Sequence, residues 1–341
     1  MNTVRTSVPV LDMSGARLAD GTFNPAFIDA LRDATHNVGF FQITGYGAAP
    51  GQPEALLDTI ARFFKLPLEE RLKLDNRNSP QFRGYTRLGT EITQGRADSR
   101  EQIDYGPERE PLENVPADRP YLNLQGPNQW PESFPELERA AMDWAALMSR
   151  IGAELLSAIA VSLELPADYF DEPFAGTPAW MGKLVHYVGG GLVPEAGDQG
   201  VGSHADYGFV TLLLQDQVGG LEVKPYGQDE WIDVPPIPGA LVVNLGEMLE
   251  VATNGYLQAT IHRVTAPPAG VDRYSVPFFW SPRLDATIDV VPLPEHLAAD
   301  ARGVSDDPDN PMLSSYGANV LKGWLRAHPQ TAAIHYPKLV K

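Results

Sequence analysis

Two histidines and one aspartate in the second half of the chain have the residue types and spacing of a metal site. His204 and Asp206 stand two residues apart, and residues two apart on an extended strand point to the same face. His262 stands in a second apolar run, which we expect to form another strand. Two imidazoles and one carboxylate on one face of an octahedron leave three positions open. That geometry suits Fe(II), which can then take a chelating co-substrate and oxygen.

A second group of residues has the chemistry of a carboxylate receptor. Arg273 follows His262 by eleven residues and shares a strand face with Ser275. A guanidinium binds a carboxylate through two parallel hydrogen bonds, and a serine hydroxyl adds a third. Phe279 falls on the same face by parity, where it either lines a substrate pocket or packs in the core. Pro277 lies between them and predicts that this strand is an edge strand or irregular there.

Composition restricts the classes of function. The chain has 341 residues, of which 43% are hydrophobic and 21% charged, as in soluble globular proteins with a substantial apolar core. It has no cysteine, which excludes disulfides, thiolate zinc sites, iron–sulfur clusters and cysteine nucleophiles. A net charge of -18 predicts no binding to nucleic acid or to anionic membranes. We expect a cytoplasmic protein, since residues 1–5 lack the apolar core of a signal peptide.

The elements that must position these side chains divide the chain into four segments. From the N-terminus they are a mixed α/β region (1–120), a helical segment (121–175), a strand-rich core (176–295) and a helical tail (296–341). The helical segment is dominated by Glu136–Leu165, whose apolar residues recur every three or four positions. The core has short apolar runs between glycine and proline turns, which is typical of a sandwich or barrel. We expect one globular unit of the α+β class with a mainly β core.

Two further stretches complete the prediction of secondary structure. Arg71–Glu110 is polar, and we assign it no regular elements. The last helix is predicted near Asn319–His328.

The ordered set of motifs resembles the 2-oxoglutarate- and Fe(II)-dependent dioxygenases, in the branch that includes isopenicillin N synthase. The resemblance covers nearly the whole chain and implies a double-stranded β-helix, a jelly-roll barrel with flanking helices and iron at its open end. The motifs that carry it are, in chain order, Val8–Asp12, Gly39–Gly47, Phe82–Tyr85, Glu101–Asp104, His204–Gly208, Thr211–Asp216, Val243–Glu247, Thr253–Gly255, His262–Val264 and Arg273–Ser275.

The resemblance also implies cofactors and residue roles. Iron(II) would be bound by the two histidines and Asp206, and dioxygen and 2-oxoglutarate would be the co-substrates. Arg273 and Ser275 would bind the far carboxylate of 2-oxoglutarate, and Tyr187 its near one. The implied reaction oxidises a small-molecule metabolite, by hydroxylation or desaturation, with release of succinate and carbon dioxide. The presence of Asp206 argues against halogenation.

Candidates for the substrate pocket are fewer and less specific. Phe279 is one, and Lys183 and Arg83 are two cations that could meet an anionic group. The substrate, the outcome of its oxidation and the oligomeric state are not determined by the sequence.

Three other functions use the same residues. An oxidase of the isopenicillin N synthase type would keep the iron ligands, do without 2-oxoglutarate and bind the carboxylate of its substrate through Arg273 and Ser275. A metal-dependent hydrolase with zinc on the same ligands would leave those two residues without a role. A non-catalytic jelly-roll binding protein is disfavoured by the intact set of three ligands.

Overall fold

Two large β-sheets, a two-stranded sheet and a layer of helices make up the part of the chain that the computed structural model describes, residues 6–190, 193, 196–287, 289–304 and 311–340. Residues 1–5, and residues 305–310 and 341 of the predicted tail, lie outside this part. The strands are β1 (Val10–Asp12), β2 (Phe40–Thr44), β3 (Gly84–Thr86), β4 (Ile92–Thr93), β5 (Arg96–Ala97), β6 (Arg100–Tyr105), β7 (Met181–Val188), β8 (Gln199–His204), β9 (Val210–Gln215), β10 (Leu221–Lys224), β11 (Ile232–Asp233), β12 (Leu241–Leu245), β13 (Ile261–Thr265) and β14 (Asp272–Trp280). The two-stranded sheet pairs β4 with β5.

The helices are concentrated before β7 and after β14. They are α1 (Pro25–Asn37), α2 (Gln52–Phe64), α3 (Leu68–Leu72), α4 (Glu136–Ser162), α5 (Asp171–Phe174), α6 (Glu247–Ala252), α7 (Glu295–Ala298), α8 (Tyr316–Ala327) and α9 (Pro329–His335), with short 3-10 turns at Met13–Gly15, Asn76–Asn78 and Pro120–Leu124.

The two main sheets face each other across an apolar layer. The larger has the strand order β1-β2-β12-β9-β14-β7-β6-β3, and the smaller has the order β11-β10-β13-β8. Val185 of β7 and Val242 of β12 belong to the same buried cluster as Val201, Val223 and Val264 of the smaller sheet. The structure is the double-stranded β-helix with flanking helices that the sequence predicted. The larger sheet also contains β1, β2, β3 and β6, which belong to the predicted N-terminal region (1–120). The four predicted segments therefore describe the order of elements along the chain and do not form separate layers in space.

The helical layer covers the outer face of the larger sheet. Alternate residues of β14, namely Val276, Phe278 and Trp280, pack in the same core as α1, α2 and α4, because successive strand residues point to opposite faces. Helix α4 is long and apolar enough to cross a membrane by length and composition alone. Its apolar stripe, from Leu137 to Ile159, is buried in this core.

Pro277 predicted a strand that is an edge strand or irregular at that point, and the second alternative is confirmed. β14 is not an edge strand, since it pairs with β7 on one side and β9 on the other. Pairing with β7 stops after Ser275 and resumes at Phe278, which accommodates the missing N–H of Pro277. The expectation that Arg71–Glu110 has no regular elements was wrong, because this stretch contains β3 to β6, and every residue of β6 is buried.

Helix bounds differ by a few residues from the prediction. α4 ends at Ser162, three residues before the predicted Leu165. The last predicted helix corresponds to α8, which begins at Tyr316, three residues before the predicted Asn319. α9 was not predicted, and Pro329 begins it after His328.

A close approach between α4 and β14 generates the first testable prediction. A Cβ added at Gly152 would lie 2.6 Å from Cγ of Trp280. We expect Gly152→Val to lower the free energy of unfolding by about 1–3 kcal/mol, because the packed ring cannot move away without strain. Ala153→Val, on the exposed side of the same helix, should cost only about 0.5 kcal/mol in helix propensity. Urea denaturation of both variants measures the difference, and equal losses would contradict this packing.

Candidate active site

The pairing of β8 with β13 brings the two predicted metal-binding histidines together. His204 lies directly opposite His262 in the antiparallel register, and the centres of their rings are 4.3 Å apart. The sequence pattern predicted that Asp206 lies on the same strand as His204. In the structure β8 ends at His204, and Asp206 lies in the loop that follows. The backbone N–H of Glu247 holds the following loop by donating to the carbonyl oxygen of Asp206 at 2.7 Å. One ligand atom from each of the three side chains lies within 4.8 Å of the others.

Backbone carbonyl groups fix the tautomer of both imidazoles. Nδ1 of His204 lies 2.8 Å from the carbonyl oxygen of Gly202, and Nδ1 of His262 lies 3.1 Å from that of Thr260. A carbonyl oxygen can only accept a hydrogen bond, so each Nδ1 carries the proton. Each Nε2 therefore keeps its lone pair, which is the donor that a metal ion needs.

Asp206 is oriented so that one of its oxygen atoms faces the imidazoles. Its Oδ2 accepts hydrogen bonds from Oγ1 of Thr211 at 2.6 Å and from Nδ2 of Asn244 at 2.7 Å. Its Oδ1 lies 3.8 Å from Nε2 of His204 and 3.9 Å from Nε2 of His262. The carboxylate thus offers one oxygen to a metal ion and uses the other for its own positioning.

The protonation states suit a cation. Burial would raise the pKa of Asp206, but the imidazoles of His262 and His204 and the hydrogen bonds from Thr211 and Asn244 lower it below its ordinary value. Burial, together with the imidazole of His204, lowers the pKa of His262 well below its usual range. An ionised carboxylate and a neutral imidazole are the forms that bind metal ions.

Arg273 is a buried cation whose hydrogen bonds are incomplete. Its Nε donates to the carbonyl oxygen of Gly219 at 2.6 Å, and its Nη2 donates to Oε1 of Gln215 at 3.0 Å. Its Nη1 and the hydroxyl of Ser275 have no hydrogen-bond partner among the described residues, although both residues are only 1% exposed. The guanidinium lies 4.7 Å from the centre of the Tyr187 ring. Buried donors without partners are costly, and the carboxylate of a ligand would satisfy them.

One cavity of about 1050 Å³ joins the metal-binding residues to Arg273 and Ser275. Phe279 and Tyr187 line this cavity, and so do Lys183 and Arg83. Nζ of Lys183 already pairs with the carboxylate of Asp104 at 2.6 Å. Its charge is therefore compensated within the protein.

Sequence reasoning had assigned no role to the residues that orient the site. Thr211, Asn244 and Gln215 occur in the motifs that carried the family resemblance, which was the available signal. Their function needs the pairing of β9 with β12 and β14 to become visible, since Asn244 lies opposite Thr211 and Gln215 lies opposite Ser275. His186 packs on the opposite side of β7, where its Nδ1 lies 2.8 Å from a carboxylate oxygen of Glu101.

Comparison with known protein families agrees with this geometry. Residues 8–133 match the family described as non-haem dioxygenase in morphine synthesis N-terminal. Residues 183–282, which include the three metal-binding residues and Arg273, match the 2OG-Fe(II) oxygenase superfamily.

Individual relatives are similar along most of their length. The 2-oxoglutarate-dependent dioxygenase frbJ of Dothideomycetidae sp. (strain 11243) is 40% identical over 86% of this chain and 79% of its own. Homoarginine-6-hydroxylase 2-ODD-233 of Oryza sativa subsp. japonica is 35% identical over 77% of this chain and 80% of its own. The crystal structure of a full-length Neurospora crassa protein in complex with alpha-KG and thymine superposes with a TM-score of 0.73 at 27% identity, covering 93% of this chain and 96% of that one.

The three clustered ligands generate a prediction about metal retention. We expect His204→Ala, Asp206→Ala and His262→Ala each to abolish the binding of a divalent metal, because each removes one of three protein ligands. The fold should persist, since the apolar faces of the sheets are untouched. Metal analysis after anaerobic loading and gel filtration measures retention, and His296→Ala, which removes an exposed histidine, is the control. Full occupancy in any two of the three variants would refute the assignment.

The hydrogen bonds to Asp206 generate a second prediction. We expect Asn244→Leu to weaken divalent-metal binding by about 10–100-fold without abolishing it, because Thr211 still orients the carboxylate. Gln42→Leu is the matched control, since Gln42 is an equally buried amide that donates to the carbonyl oxygen of Pro235 instead. Calorimetric titration with Mn(II) gives the affinities. An Asn244→Leu protein that binds like the control would show that this hydrogen bond does not orient the ligand.

Proposed function

The chain belongs to the 2OG-Fe(II) oxygenase superfamily and is an Fe(II)- and 2-oxoglutarate-dependent dioxygenase, and we propose that it oxidises a small molecule in the cavity beside His204, Asp206 and His262. In this proposal those three residues bind iron(II). Arg273 and Ser275 bind the far carboxylate of 2-oxoglutarate, and Tyr187 lies against its near one. The bound iron and 2-oxoglutarate supply oxygen activation, with succinate and carbon dioxide as products.

The unmet donors of Arg273 and Ser275 are the single observation that carries the co-substrate assignment. A guanidinium without a counter-ion is costly in a buried site. Arg273 is nevertheless only 1% exposed. Its Nη1 and the hydroxyl of Ser275 have no hydrogen-bond partner among the described residues. Gln215 and Gly219 hold the other two nitrogens, so the free edge of the guanidinium has a set direction. A carboxylate matches that edge in shape and charge.

Charge balance supports the same arrangement. The carboxylate of Asp206 and two neutral imidazoles leave a divalent metal with one net positive charge. A dianionic co-substrate together with the cation of Arg273 then makes the whole site neutral, as a buried site requires.

The residues of the chain contribute positioning and protection from water. Asp206 is held by Thr211 and Asn244, and the imidazoles by backbone carbonyl groups, so no reorganisation is needed when ligands bind. The cavity is large enough for the co-substrate and a small organic molecule together. The rice relative is named for homoarginine and the Neurospora structure contains thymine, both of which are small molecules.

The finer predictions are part of the proposal. Hydroxylation or desaturation is the expected outcome, and a cytoplasmic location and the exclusion of nucleic acid and membranes stay predictions. An oxidase that does not use 2-oxoglutarate would turn over without forming succinate. A hydrolase would act without oxygen. Measuring succinate and oxygen consumption during turnover separates the three reactions.

The receptor role of Arg273 generates the next prediction. We expect Arg273→Ala to weaken 2-oxoglutarate binding at least a hundredfold while iron still binds, because losing the partner of a buried charge costs about 3–5 kcal/mol. Arg273→Lys should recover only part of the affinity, since an ammonium cannot form the bidentate pair. Ser275→Ala should cost less, about 1.5–3 kcal/mol for one hydrogen bond to a charged group.

The measurement is anaerobic titration of the iron(II) protein with 2-oxoglutarate, followed by visible charge-transfer absorption. Arg263→Ala is the matched control, because Arg263 forms its ion pair with Glu222 and does not line the cavity. An Arg273→Ala protein that titrates like the wild type would remove the co-substrate assignment and favour the oxidase.

A further inference from the structure

Arg83 is a second buried cation of the cavity, and it lacks a counter-ion among the described residues. Its side chain lines the cavity, and the residue is 8% exposed. Its Nε and Nη1 have no hydrogen-bond partner in the described part of the chain, and its interactions there include no carboxylate within 4.0 Å. Burial lowers the pKa of Arg83, and the charges of the Asp104 and Glu108 carboxylates oppose that lowering. Asp104 is bonded to Lys183, however, and Glu108 to Asn128.

Two other buried cations that line the cavity, Lys183 and Arg100, form ion pairs with carboxylates. Lys183 pairs with Asp104 at 2.6 Å. Arg100 lies 3.1 Å from Asp98 and 3.2 Å from Glu91. Arg83 is therefore distinguished by its missing partner and not by its burial.

The surrounding chain keeps a place for this guanidinium. A Cβ added at Gly106 would lie 1.9 Å from Nη1 of Arg83, so the guanidinium lies against the bare backbone of that glycine. Arg109 stands nearby and adds positive charge. It donates to the carbonyl oxygens of Thr177 and Pro178. These groups are neutral and therefore do not compensate the positive charge of Arg109.

Arg83 and Arg273 are too far apart to bind the same co-substrate. Arg273 lies opposite Tyr187 on β7. Gly84, which follows Arg83, lies level with Lys183 through β6. Four residues along β7 and three strand spacings across β14, β7, β6 and β3 separate the two backbone positions, which is about 20 Å along the sheet. The four carbon–carbon bonds of 2-oxoglutarate, about 1.5 Å each, span less than about 6 Å. A ligand at Arg83 must therefore be a different molecule.

We propose that Arg83, assisted by Arg109, binds a carboxylate group of the substrate, so that the enzyme oxidises a small organic acid. This inference rests on the proposed function, in which the substrate occupies the same cavity as the iron and 2-oxoglutarate. Aromatic side chains line the same cavity, among them Trp180, Phe279 and Trp324. They suit an apolar or aromatic body that extends from the carboxylate.

Electrostatics agree with an anionic ligand. Burial lowers the pKa of Arg83 to about 10, so the group is charged at neutral pH at a cost that a carboxylate would offset. Tyr316 lines the same cavity as Arg83 and Asp206, so a substrate bound at Arg83 occupies the cavity that also contains the metal ligands.

The test measures the binding of a series of acids, from phenylacetate to 5-phenylpentanoate, and of the corresponding neutral amides. The protein is loaded with iron(II) and saturating 2-oxoglutarate under nitrogen. Quenching of tryptophan fluorescence reports binding, because Trp180 and Trp324 line the cavity, and calorimetry gives the same affinities independently. We expect at least one acid to bind at least about tenfold more tightly than its amide.

Substitutions then assign the preference to Arg83. Arg83→Met should weaken acid binding about a hundredfold or more and leave amide binding unchanged. Arg83→Lys should restore part of the preference, and Arg109→Met should have an intermediate effect. Arg87→Met is the matched control: it removes the same charge four residues away, where the exposed Arg87 pairs with Asp75 outside the cavity.

Thermal unfolding separates a receptor from a structural residue. Arg83→Met should unfold at the same temperature as the wild type or higher, since it removes an uncompensated buried charge. An acid should raise the unfolding temperature of the wild type and not that of the variant. A large loss of stability in Arg83→Met without a change in acid preference would identify a structural role and overturn the proposal.

Other outcomes overturn the inference without touching the proposed function. These are acids that bind no better than their amides, an affinity that falls as 2-oxoglutarate rises, and phenyl phosphate that binds more tightly than every acid. They would mean, respectively, no anion receptor, binding at Arg273, and a phosphate ester as ligand. The charge-transfer band of the same samples reports 2-oxoglutarate independently, so failure of the proposed function is seen separately.

Discussion

A charge that is removed from water has to be compensated, and the interior between the two sheets is organised by this requirement. Where the chain itself provides the partner, as Asp104 does for Lys183, the pair is closed and structural. Where the described residues provide no carboxylate partner, as at Arg273 and Arg83, the buried guanidinium faces the cavity with unmet donors. The clustered ligands around Asp206 present the same problem with the opposite sign, and a cation resolves it. The uncompensated positions therefore mark where ligands are expected.

The alternation of side chains along the strands allows this chemistry to coexist with a stable fold. On β14, Val276 and Phe278 face the helices and belong to the main apolar core. Arg273, Ser275 and Phe279 face the cavity on the other side of the same strand. The two sets of residues lie on the same strand but point into different environments. The apolar core can therefore hold the strand rigidly while the other face carries polar groups without partners.

The rigidity of the site comes from hydrogen bonds that leave one atom of each ligand free. Backbone carbonyl groups bind Nδ1 of His204 and of His262, and Thr211 and Asn244 bind one oxygen of Asp206. The donors for a metal ion are thus aligned in its absence. Arg83 is placed differently, because its guanidinium lies against the bare backbone of Gly106 and two of its nitrogens have no hydrogen-bond partner among the described residues.

Residue types and short spacings determined a large part of this protein. The two histidines with Asp206, the pair Arg273 and Ser275, and the strand-rich second half are local patterns that the sequence alone predicts. The buried strand Arg100–Tyr105 was missed, because its polar residues look exposed until partners from distant parts of the chain are brought beside them. The position of Asp206 beyond its strand, and the open charge of Arg83 beside the closed one of Lys183, were likewise decided by tertiary structure. A sequence shows which side chains can carry charge, but whether a buried charge is paired depends on residues that only folding brings within hydrogen-bonding distance.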